Sequence, residues 1–169
     1  DDYLHEVHDR YSRGEYIFAD SIKFADSLKF TTPGGKTVYG GGGIMPDIFV
    51  PYDTALYTGY YTQVMNRGLL GRFAFQYADK NRRNLNGFKD HSEIVEYLDR
   101  QDLLLQFTAY SEKNGLQASK EDIILSQDVL LISMKALSAR FILDNEGYYP
   151  IIHQIDPTVQ KSLEIFAQK

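Results

Sequence analysis

No cysteine occurs in the 169 residues, which removes disulfides, thiolate metal sites and a cysteine nucleophile at once. Tryptophan is absent too. No apolar run approaches the roughly 18 residues needed to cross a bilayer, so no membrane span is expected. Positive charge is the minority sign. With 18 Lys and Arg against 23 Asp and Glu, the net charge of −5 opposes non-specific attraction to phosphate backbones and anionic lipid, and nucleic acid is not an expected partner.

What is present is a composition that folds, 43% apolar and 24% charged. The length allows one domain, or a small β piece with a helical domain behind it. The patterning favours the second arrangement, with residues 1–51 as one segment, residues 52–169 as a helical domain, and a mainly α fold. Aromatic residues are dominated by 13 Tyr and 10 Phe. Tyr joins apolar area to a polar tip, so the buried surface of the helical part is expected to be partly amphipathic.

Up to Pro51 the chain reads as turns and short strands. Ser27–Thr32 and Lys36–Tyr39 suit strands and flank Pro33-Gly34-Gly35, where a Pro followed by residues free to take positive φ is hairpin-turn chemistry. Gly40–Gly43 opens conformations closed to residues with a Cβ, and Ile48-Phe49-Val50 reads as a last strand. Upstream, Tyr3, Val7 and Tyr11 recur at i, i+4 and i+8 ahead of Gly14, the pattern of a short helix. Glu15–Phe24 carries little regular structure, with Ile17, Phe18, Ile22 and Phe24 as anchors and turns beginning at Asp20 and Asp26.

After Pro51 the period becomes helical. Asp53 or Thr54 caps a helix bearing Leu56, Tyr60 and Val64 and ending at Gly68; Leu70, Phe73 and Tyr77 mark a second over Leu69–Asn81. Lys80, Arg82 and Arg83 suit the negative end of its dipole. A loop from Asn84 to Asp90 precedes a helix carrying Ile94, Val95 and Leu98, then another from about Gln101 to Asn114 with Leu103, Leu104, Phe107 and Tyr110. Ser119-Lys120-Glu121-Asp122 opens a long helix to about Leu143, in which Leu130, Met134, Leu137 and Phe141 form a seam read as core. Asp144–Gly147 reads as a turn and Tyr148–Ile152 as an apolar link. Asp156 and Pro157 start a final helix with Val159, Leu163 and Phe166 as its buried stripe.

Several short patterns imitate catalytic or binding motifs. His5 and His8 in H-E-V-H stand three apart, whereas a zincin helix needs four, and no third ligand is evident. Gly34-Gly35-Lys36-Thr37 resembles the end of a phosphate-binding loop, but that loop needs Gly where Phe30 stands. Strand-forming Thr37, Val38 and Tyr39 follow in place of a helix. The Gly40–Gly43 amides read as a connection, not an anion cradle. Asp90 beside His91 reads as a helix cap. Ser119/Lys120 and Lys161/Ser162 lack flanking active-site motifs, and His153 stands alone. No catalytic, cofactor-binding or metal-ligating residue is assigned.

Gly43-Ile44-Met45-Pro46-Asp47-Ile48-Phe49-Val50, with the hairpin and glycine run before it, resembles the end of the catalytic domain in the carboxy-terminal processing, or tail-specific, proteases, serine peptidases with a Ser/Lys dyad. The longer VYGGGGIMPDIFVP with a helical tail is similar to the Bacteroidetes branch of that family. The likeness continues through Phe73–Asn81, Tyr97–Leu103 and Gly147–Pro157. It implies a remnant of the catalytic sheet in residues 1–51, a helical C-terminal domain after it, and a place in the periplasm or cell envelope. The family's G-S-x-S nucleophile motif and F-G-K-G-like lysine turn do not occur here, so the chain is expected to be an inactive accessory portion. Its implied partners are the rest of the parent protease, the polypeptides that protease cleaves, and a second copy in a homodimer. The alternative expectation is a helical binding or dimerisation module without catalysis.

Overall fold

The computed structural model describes residues 2–18, 21–22, 26–40, 47–51 and 58–168. The fold is mainly α, with eight helices and one two-stranded antiparallel sheet among the described residues. It divides into two units, Asp1–Asp53 and Thr54–Lys169.

In the first unit, α1 (Asp2–Ser12) ends where Gly14 takes φ 75°. Gly14 N–H donates to the Tyr11 carbonyl at 3.0 Å and Glu15 N–H to the Arg10 carbonyl at 3.1 Å, a Schellman closure. On the expected apolar stripe of α1, Val7 is partly covered and Tyr11 is exposed. A short 3₁₀ turn at Asp26–Leu28 leads into β1 (Lys29–Thr31), which pairs with β2 (Thr37–Tyr39), Phe30 opposite Val38. At the hairpin tip Gly35 N–H donates to the Thr32 carbonyl at 2.9 Å, and Gly35 sits at φ 81°. Pro33 thus occupies the turn position that wants φ near −65°, and the glycine the left-handed one.

Ile48–Val50 does not form the expected last strand; the chain bends at Asp47 and Ile48, and residues 49–51 have no ladder partner among the described residues. Three residues of high strand propensity stay extended only when a neighbouring strand takes their hydrogen bonds. Phe24, Asp20 and most of the glycine run, Gly41–Gly43, lie outside the described residues.

The second unit comprises α2 (Gly59–Asn66), α3 (Leu69–Lys80), α4 (Arg82–Leu85), α5 (His91–Asp99), α6 (Leu103–Lys113), α7 (Lys120–Ile152) and α8 (Pro157–Ala167). The Thr58 hydroxyl caps α2, accepting from Tyr61 N–H at 3.1 Å, while Asp53 and Thr54 lie outside the described residues. Thr58 Oγ1 also meets Ser126 Oγ at 2.8 Å, tying this cap to α7. Asn84 and Leu85, expected in a loop, complete the single turn of α4, because Leu85 is fully buried there.

Helix α7 is the axis against which α2, α3, α5 and α6 pack. Its Leu130 and Met134 are fully buried, and Phe73 meets Phe107 edge-on at 5.3 Å beneath them in the same core. Each such side chain contributes roughly 1.5–3 kcal/mol on leaving water. The seam opens at its far end, where Phe141 is exposed and packs edge-on against Phe75 at 5.3 Å.

Two features of the C-terminal part differ from the sequence reading. The chain breaks helical geometry at Asp144 (φ 51°, ψ −135°), yet Tyr148–Ile152 resumes helix and is not a link. The resumed turn is possible because Gly147 backs onto the previous one: a Cβ there would lie 2.6 Å from the Ala139 carbonyl oxygen. Further on, Asp156 caps α8 with Pro157 at its first position, its carboxylate accepting from Thr158 and Val159 N–H at 2.9 and 3.1 Å. No residue of α8 is buried, however. Val159, Ser162 and Ile165 are partly covered, while Leu163 and Phe166 stand 57% and 69% exposed. The covered positions step by three through the small Ser162, so the covered face is not the stripe that Leu163 and Phe166 mark.

Candidate functional site

The residues that imitate motifs are engaged structurally. Ser119 Oγ donates to Asp122 Oδ2 at 2.7 Å and accepts from Asp122 N–H at 3.0 Å, while the Asp122 carboxylate takes Ser119 N–H: a complete capping box for α7. Lys161 Nζ pairs with Glu164 at 2.8 Å, and Ser162 Oγ donates to the Thr158 carbonyl at 2.8 Å. Neither Ser is aimed at its neighbouring Lys. Asp90 caps α5, its Oδ1 accepting from Ser92 N–H, Ser92 Oγ and Glu93 N–H. These bonds, led by that from Ser92, hold the Asp90 carboxyl below its ordinary range. His91 is left with no catalytic partner in Asp90.

His5 and His8 are exposed on α1, and among the described residues no three His, Asp or Glu side chains converge to hold a metal. His153 packs against Tyr149 with the rings tilted and their centres 5.2 Å apart. Lys36 sits at the hairpin and pairs with Asp47, which occupies it away from any phosphate.

A concave feature of the helical unit is a groove of about 750 Å³ between the end of α5, α6 and the first half of α7. Its floor is built from local sequence: Leu98 ends the buried stripe of α5, Leu103 starts that of α6, and both are 1% exposed. Ile123 and Leu131 of α7 line it as well, with Ala118 from the loop before that helix. Leu105 and Ile124 stand on the walls, 69% and 66% exposed. Across the mouth Lys135 pairs with Asp99; the lysine side chain is only 17% exposed, so the pair ties α7 to the end of α5. Asp102 at the start of α6 makes no side-chain cap bond, and Glu112 accepts from Gln117 Nε2 at 3.1 Å.

A mostly apolar concavity of this size with a few polar groups at its rim suits an apolar ligand or a helix face better than a charged substrate. Elsewhere in the core, burial raises the pKa of the Tyr60 phenol, with Ser111 pulling the other way. Burial also raises that of Tyr77, followed by the effect of Tyr97. Neither group faces a reacting partner.

The sequence reading placed Leu103 and Leu104 on a helix with Phe107 and Tyr110 and missed the groove. The signal was present in Leu103-Leu104-Leu105 and Ile123-Ile124-Leu125: a helix cannot turn three consecutive residues to one core, so each run must leave an apolar side chain outside.

Residues 60–144, from α2 to the break in α7, match a family described as a family of unknown function, DUF8443. The chain belongs to the DUF8443 family. The matched segment contains the groove and the buried core apart from Ile151, and it ends at Asp144, so α8 lies beyond it. No curated protein and no solved structure matches the chain. Among the described residues no helix is long and apolar enough to cross a membrane.

Proposed function

We propose that the chain is a non-catalytic, helical accessory portion of a tail-specific serine endopeptidase of the cell envelope, working beside the rest of that enzyme and the polypeptides it cleaves. The parent enzyme is supported by the resemblance carried by VYGGGGIMPDIFVP and by the stretches from Phe73, Tyr97 and Gly147. The accessory role rests on one observation: both Ser–Lys neighbours are spent on capping and surface bonds, where a Ser/Lys dyad needs a lysine desolvated enough to act as a neutral base.

Translating in frame the coding DNA upstream of the Asp1 codon tests the reading. A Ser-rich nucleophile motif followed by a lysine turn is the expected result, and a start codon directly before Asp1 overturns it. The purified chain is expected to leave a flexible polypeptide uncut, and hydrolysis that persists through repurification overturns the non-catalytic role.

A second reading, a helical binding or dimerisation module independent of any protease, is favoured by the open groove with its exposed Leu105 and Ile124.

A further inference from the structure

We propose that the groove between α5, α6 and α7 holds an amphipathic helix of a partner protein, one whose apolar stripe ends in a basic residue that meets Asp102. The inference rests on the second reading above, the binding module, and gives its partner a chemistry. The lining of the groove runs along α7 from Lys120 to Lys135, about 22 Å at the helical rise, or roughly four turns. A trough of that length with Leu98 and Leu103 on its floor suits the i, i+3, i+4, i+7 face of a docked helix. Exposed Leu105 and Ile124 on the walls then pack against the flanks of that face.

The charges of the lining select the partner's polar end. Three carboxylates and two lysines line the groove, and they are not evenly spread. Lys135 is taken by Asp99, while Asp102, at the same end, makes neither a side-chain cap bond nor an ion pair among the described residues. That end therefore carries one carboxylate in excess. At the other end, where α6 hands over to α7, Glu112 and Lys120 balance. A Lys or Arg at the end of the docked stripe complements Asp102, and an acidic residue there is repelled. A second copy of this chain is the poorer occupant, because two concave grooves do not fill one another and each brings the same excess carboxylate.

Fluorescence anisotropy of the full chain with two labelled peptides, each of about four helical turns, tests this. Both peptides carry a leucine stripe at helical spacing on a glutamine background; one ends the stripe in lysines, the other in glutamates. The lysine peptide is expected to bind at least about tenfold more tightly at low salt, and Asp102→Asn to erase most of that difference. Leu105→Ala and Ile124→Ala are each expected to weaken the lysine peptide about tenfold, and Leu163→Ala, on α8, to leave its binding unchanged. All four positions are exposed, so circular dichroism of the variants is expected to match that of the parent chain. Failure of both peptides to bind overturns the proposal, as does equal binding of the two, or binding indifferent to Leu105→Ala and Ile124→Ala. Tighter binding of decylamine in the same groove makes a small amine the occupant, and a dimer in light scattering that Leu105→Ala abolishes makes it a second copy. Either result overturns the helical partner and leaves the binding-module reading standing, whereas a monomer that takes none of these probes removes both. The upstream coding sequence decides the protease reading separately.

Discussion

Every buried apolar side chain among the described residues belongs to the helical unit, whereas the buried side chain of the first unit is a carboxylate, Glu15. It is held by Arg13 Nε at 2.7 Å and Arg10 Nε at 2.9 Å. The helical unit is organised by water leaving leucine and phenylalanine, and α7 gathers its neighbours for that reason. The first unit is organised by turn geometry and ion pairing, and its hairpin leaves Phe30 and Val38 exposed. Local chemistry is enough to shape a hairpin but gives it no core, because two strands cannot bury an apolar face without a third element to cover it. A segment built this way fits the proposed origin as the edge of a larger sheet.

The contrast is tested most severely by Phe107→Ala. Phe107 is fully buried against Phe73, and its loss is expected to cost about 3–5 kcal/mol, read as a lowered urea midpoint of helical circular dichroism. Amide shifts at Thr32 and Gly35 are expected to stay put at urea concentrations that unfold the helical unit of the variant but not that of the parent chain; if they follow the helical signal, the two units unfold as one and the comparison breaks.

Next in size is Gly147→Ala, which sets a methyl 2.6 Å from the Ala139 carbonyl and is expected to cost about 1–3 kcal/mol in the same titration. Asp144→Gly is expected to move the midpoint the other way by about 1 kcal/mol, since Asp144 holds a backbone conformation that glycine adopts without strain. Gly35→Ala places a Cβ on a residue at φ 81° and is expected to cost about 1–2 kcal/mol, seen in hairpin amide shifts with the helical midpoint unchanged.

The mildest effect concerns pH. The hydrogen bond from Arg13, then that from Arg10, lowers the Glu15 carboxyl below its ordinary 4.5. Its contribution is therefore present above that ordinary value and is lost as pH falls through the lower folded one. The Gly14 and Glu15 amide shifts of the α1 closure are expected to change in that acid window and, in Glu15→Gln, to lose most of this pH dependence. A wild-type closure unchanged through the window would show that the ion pairs do not hold it.

Local signals were the legible ones. Asp90, Ser119 and Asp156 were read as starting helices and do so, because a cap is a contract among three or four consecutive residues. Pro33-Gly34-Gly35 was read as a hairpin turn for the same reason. The candidate site was not read at all: the leucine and isoleucine runs were visible, but which member of each is left outside depends on how α6 and α7 are rotated against their neighbours.

Ile48–Val50 pairs with no strand among the described residues, and Leu163 and Phe166 are exposed although their spacing is that of a stripe. Spacing shows that one face of a helix is apolar and is silent on whether anything is packed against it.

The sequence by itself determined the mainly α character, the helix starts, the hairpin and the structural use of the Ser–Lys and Asp–His neighbours, since each depends on residues within one turn of one another. Only the tertiary structure decided that the chain re-enters helix after Asp144, that α8 shows Leu163 and Phe166 to solvent, and that α5, α6 and α7 leave a groove between them. These depend on close approaches such as Gly147 on Ala139 and on helix rotations, which are fixed by the packing of the whole core at once.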